Sequence, residues 1–114
     1  MELTTLQRTL LFDTYGDTLT EKQKTCLDLR CNQDLSLGEI GELEGISRQA
    51  VRDNIVRAEA QMLELEEKIG AVKKALLVEE AVEQLRQIAI DAENGADGKA
   101  ISRRILTTIA SIEE

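Results

Sequence analysis

Histidine, proline and tryptophan are absent from the 114 residues, and Phe12 and Tyr15 are the only aromatics. Without histidine the chain lacks the commonest general base and metal ligand at neutral pH. Cys26 and Cys31 sit five apart on an expected helix, so they point to different faces and fall short of a zinc-binding set. They are expected to be reduced structural thiols, with no metal and no cofactor. With no proline to interrupt them, long helices are unhindered. The preponderance of alanine, leucine, glutamate, isoleucine and arginine then favours an all-α fold. So few rings leave an aliphatic core, which is marginal in a chain this short and makes burial against a second copy an expected source of stability.

Other absences narrow the function. The start MELTTLQRTLLFDTY has no basic segment followed by an apolar stretch and cleavage site, and no run is long enough to cross a bilayer. A soluble, cytoplasmic protein without membrane contact is expected. The serines have no partner set for nucleophilic catalysis. Gly38 and Gly41 follow no strand and open no phosphate-cradling loop. Glu66-Glu67 and Glu79-Glu80 are expected to be solvated helix faces rather than acid–base pairs. No enzyme is legible here.

What is present centres on Ser36 to Gln61, SLGEIGELEGISRQAVRDNIVRAEAQ. Ser36 and Glu39 form an S-x-x-E capping box that opens a helix with Ile40 and Leu43 on its buried face. Gly41 permits close approach of a second helix, and Gly45 suits the positive φ of a tight turn. Ile46 plugs the corner, while Ser47 caps a helix whose buried stripe is Ala50, Val51 and Ile55. This is the pattern of a helix-turn-helix. Its second helix would meet DNA through Ser47, Arg48, Gln49, Arg52, Asn54 and Arg57. Arg48 and Arg57 would anchor phosphates; Gln49 and Arg52 would read bases. Such polar residues also serve simply to solvate a helix face, since phosphate contacts and solvated faces share a composition. The net charge of −8 opposes nucleic-acid binding, yet Ser47 to Ala58 carries three arginines against Asp53 alone. Weak DNA binding by a basic spot on an acidic body is the resulting expectation.

Around this motif, Leu3, Leu6, Leu10, Leu11 and Phe12 predict a first helix closed at Tyr15-Gly16-Asp17. Thr20 and Gln23 form another capping box, opening a helix to about Arg30. The second motif helix runs on through Met62, Leu65 and Ile69, with Gly70 placed to bend or end it. From residue 71 to 92 an apolar stripe of Val72, Leu76, Val82, Leu85 and Ala89, widened by Val78, Ala81, Ile88 and Ala92, is too apolar to stand alone. It is expected to form a homodimer. Asn94 to Gly98 reads as a turn, and Ile101, Ile105, Ile109 and Ile112 as the face of a last helix. The domains are expected to be 1–60, the helix-turn-helix, and 61–114, a helical dimerisation extension.

The segment SLGEIGELEGISRQAVRDNI resembles region 4 of bacterial sigma factors, whose helix-turn-helix reads the promoter −35 element. LLFDTY, LTEKQK, DLSLGEI and ISRQAVRDNI resemble the YlxM family more closely, over nearly the whole chain. That resemblance implies a helix-turn-helix regulatory protein linked to the signal recognition particle, a link inferred from gene neighbourhood with the particle GTPase and its receptor. Two departures stand out: Arg52 replaces an aromatic frequent in relatives, and CLDLRC lacks the aromatics usual there. The resemblance supports a DNA-binding regulator linked to the signal-recognition-particle pathway. The alternative is an adaptor whose acidic body contacts particle components without DNA. Direct binding of the particle's RNA has no RNA-specific motif behind it.

Overall fold

The computed structural model describes residues 3–113. Among these the chain is all helical: α1 (Thr5–Tyr15), α2 (Glu21–Cys31), α3 (Leu37–Glu44), α4 (Arg48–Ile69), α5 (Ala71–Glu93) and α6 (Gly98–Ile112), with a short 3-10 turn at Gly16–Thr18. The capping chemistry legible in the sequence is realised. Thr20–Gln23 and Ser36–Glu39 form reciprocal boxes, and Thr4–Gln7 forms another before α1. Gly70 ends α4 rather than bending it, with φ 70°.

Two compact units meet at Val72 and Lys73. The division expected at residue 60 falls instead inside α4, because that helix is continuous and its buried residues extend to Met62. In the first unit α1, α2 and α3 all pack on α4. The core joins Leu11, Tyr15 and Leu19 to Cys26, Leu27, Ile40, Val51, Ile55, Ala58 and Met62. It is aliphatic apart from Tyr15, as so few rings require.

Three expected core residues lie elsewhere. Leu6 is 68% exposed, Leu43 65% and Ile69 61%. Each is apolar and correctly spaced, but α1 and α3 are short and only one side of each faces α4, while Ile69 is the last residue of α4, beyond its last buried residue Met62. On α1 that side carries Leu11 and Tyr15, with Phe12 half-buried beside them. Cys26 and Cys31 are free thiols, Cys26 buried and Cys31 half-buried. Burial pushes both above the ordinary thiol range.

α5 follows α4 after a single glycine, which leaves no residue to serve as its own N-cap. The first unit's side chains supply the missing acceptors. Val72 N–H donates to Glu66 Oε1 at 3.0 Å and Ala71 N–H to Tyr15 Oη at 3.3 Å, while the Tyr15 hydroxyl donates to Glu66 at 2.7 Å. Glu66 is therefore a structural acceptor and not the solvated face expected of it. Burial, and the hydrogen bond to Glu66 after it, raise the Tyr15 phenol above its ordinary range.

In the second unit α5 and α6 form a hairpin over the turn at Asn94 to Gly98, where Gly95 has φ 89°. Asp97 caps α6 by accepting from Ala100 N–H at 3.2 Å. Ala81, Ile88 and Thr108 are the buried residues of these two helices. The Thr108 hydroxyl donates to Gln84 at 3.1 Å, and Arg104 donates to Asp91 at 2.7 Å.

Candidate nucleic-acid interface

The site is built from α3, a tight turn and the start of α4. Gly45 takes φ 69°, a conformation costly for any side chain with a Cβ, and its N–H donates to the Gly41 carbonyl. Ile46 N–H donates to the same carbonyl at 3.0 Å. Gly41 is required for space. A Cβ there would lie 2.7 Å from the Ile46 carbonyl oxygen, so any side chain would force the turn away from α3. On the other side of α3, the Ser36 N–H donates to Glu39 and its hydroxyl accepts from Glu39 N–H, which holds the Glu39 carboxyl below the ordinary glutamate range.

The proposed contact residues fall into distinct roles. Ser47 caps α4, its hydroxyl accepting from Ala50 N–H at 3.0 Å. Gln49 is held by Asp53 one turn on, donating at 3.0 Å, a pairing visible in the four-residue spacing. Asn54 is half-buried and donates to the Ala50 carbonyl at 2.9 Å, so its amide is turned back onto the helix. Arg48, Arg52 and Arg57 are exposed, and none forms an ion pair among the described residues. Arg48 and Arg52 are one turn apart and share a side. Arg57, five residues on, stands about 140° further round the helix. The structure thus brings Arg48, Gln49 and Arg52 together and leaves Arg57 and Asn54 apart from them.

Sequence reading missed the role of Gly38. A Cβ on it would approach Arg48 Nη2 to 3.0 Å, with Nε at 3.6 Å and Cζ at 3.7 Å. The Arg48 guanidinium therefore lies over a bare stretch of α3. Nothing in the local pattern signals this, because the two residues sit on different helices.

The geometry is that of a capped helix presenting two unpaired arginines beside a tight turn. The family model described as "Putative helix-turn-helix protein, YlxM / p13 like" matches residues 2–101. The chain belongs to the UPF0122 family. Its UPF0122 relatives include a protein of Acetivibrio thermocellus, 43% identical over 82% of this chain and 84% of its own. Another, from Halalkalibacterium halodurans, is 38% identical over 96% of this chain and 94% of its own. A third, from Bacillus cereus, is 42% identical over 79% and 82%. Among the described residues no group of three or more metal-ligating side chains comes together, and no helix is long and apolar enough to cross a membrane.

Proposed function

We propose that this UPF0122 protein is a DNA-binding regulatory protein of the sigma region 4 type, linked to the signal-recognition-particle pathway. The observation that carries this reading is the pair Arg48 and Arg52, exposed and unpaired on the first turns of the capped helix α4. A helix docked by its N-terminal turns sets such residues against phosphates and base edges. Arg48 anchors a phosphate, Gln49 and Arg52 face the groove, and Arg57 meets backbone at a different angle. With about three cations per motif, and about six in a dimer, affinity falls on the order of a thousandfold from ~50 to ~200 mM salt.

The test is fluorescence anisotropy of the purified protein with a DNA library across that salt range. Arg48→Ala and Arg52→Ala should each weaken binding at unchanged helicity. If both leave DNA affinity intact, α4 is not the reader. The acidic flank of Glu42, Glu44, Glu59, Glu64 and Glu67 supports the second reading, an adaptor for basic particle components. Co-purification from cells at moderate salt separates the two: DNA fragments sharing a sequence favour the regulator, particle components the adaptor.

A further inference from the structure

Beyond its second turn, α4 carries exposed apolar residues as well as Arg57. Val56, Ala60 and Leu63 stand exposed in one row, Val56 at 54% and Leu63 at 40%. Their spacing of four and three is that of a helix-packing seam, and Glu64 and Glu67 lie at its C-terminal end. Among the described residues of the first unit nothing covers this row.

The outer face of α6 has the complementary pattern. Lys99, Arg103, Leu106 and Ala110 are all exposed, Leu106 at 63%, and are spaced four, three and four apart. Between its cap at Asp97 and Glu113, α6 carries only cationic charges, and of these Arg104 alone is engaged, by Asp91. Lys99, Arg103 and Glu67 form no ion pair among the described residues, and Glu64 is paired with Lys68 at 3.1 Å, one turn on.

We infer that α6 of a second copy docks antiparallel along the exposed row of α4, reciprocally in a two-fold dimer. In one register every position matches. Lys99 faces Glu67, Arg103 faces Leu63 with its charge beside Glu64, Leu106 faces Ala60, and Ala110 faces Val56. Large residues meet small ones and cations meet carboxylates, which is what interdigitation and charge pairing require. The exposed row of α5, Val78, Val82, Leu85 and Ala89, is flanked by charges of both signs, Lys74 and Arg86 as well as Glu79 and Glu93, whereas α6 carries cations alone. This inference rests on the dimer expected from the sequence and names a surface for it.

The experiment is sedimentation velocity on the full chain at tens of micromolar, with circular dichroism verifying the fold of each variant. Glu64→Lys with Glu67→Lys is one protein; Lys99→Glu with Arg103→Glu is the other. Each alone should raise the dimer dissociation constant by about tenfold or more. Mixed in equal amounts, they should recover a heterodimer of wild-type affinity, because one interface then pairs the two reversed helices and the other two wild-type ones. A wild-type dimer unaffected by either reversal overturns this contact while leaving dimerisation standing. Restoration when all four reversals share one chain, but not on mixing, overturns the second-copy assignment. A monomeric wild type overturns the dimer and the contact together.

Discussion

Two glycines one turn apart on α3 do different things, and substitution separates them. A methyl at Gly41 would collide with the Ile46 carbonyl, a backbone atom that can move only with the turn. Gly41→Ala should therefore cost about 1–3 kcal/mol of stability, read by urea unfolding. A methyl at Gly38 meets only the end of the Arg48 side chain, which can swing away. Gly38→Ala should leave stability within about 0.5 kcal/mol of wild type while weakening DNA binding to the extent that Arg48 must lie in its present place. Equal destabilisation by both, or unchanged binding by Gly38→Ala, would show that Gly38 has no part in placing Arg48.

At the scale of elements, the chain solves each helix end with whatever lies to hand. Serine and threonine caps serve four of the helices from their own sequence, and Asp97 serves α6. α5 borrows Glu66 and Tyr15. The second unit depends further on Asp91, whose carboxyl is held below the ordinary aspartate range by the hydrogen bond from Arg104 and then by one from Gln87. A carboxyl with a depressed folded pKa contributes stability above its unfolded value of about 3.9 and loses it as pH falls through the folded value. Thermal unfolding should therefore shift down in acid below about pH 4. Asp91→Asn should lower the neutral-pH melting temperature and flatten that part of the acid dependence. An identical acid profile in the variant would remove Asp91 from the account.

For the whole molecule, exposed apolar residues matter more than the core. On α5, Leu76, Val78, Val82, Leu85 and Ile90 are each 40–47% exposed in the single chain. The stripe expected for dimerisation does not stay in one line on this helix. The six-residue step from Leu76 to Val82 falls about 120° short of two turns, and Val72 packs instead against the first unit's core. The continuous row is Val78, Val82, Leu85 and Ala89. Leu85→Asp, placing a charge in that row, separates this stripe from the α4–α6 contact: with α6 docked on α4 the dimer's mass by light scattering at tens of micromolar should be unchanged, and a folded monomer would place α5 in the interface instead.

Local chemistry determined much of this protein without reference to its fold. Caps, glycine turns and the 3.6-residue rhythm act within a few residues, so the all-helical class, the α3–turn–α4 unit, the hairpin turn near Gly95 and the exposed Arg48 and Arg52 were legible in the sequence. Other features depended on which surfaces come together. Leu6, Leu43 and Ile69 satisfy the same rhythm as the buried residues, and only the position of neighbouring helices leaves them in water. Gly38 beneath Arg48, Glu66 capping α5, and Asn54 turned back on its own helix are likewise invisible to spacing. Two of these three rest on contacts between elements, and the third on a side-chain rotation that the backbone pattern does not specify. Periodicity states which residues are apolar on a face, and only tertiary packing decides which face is covered.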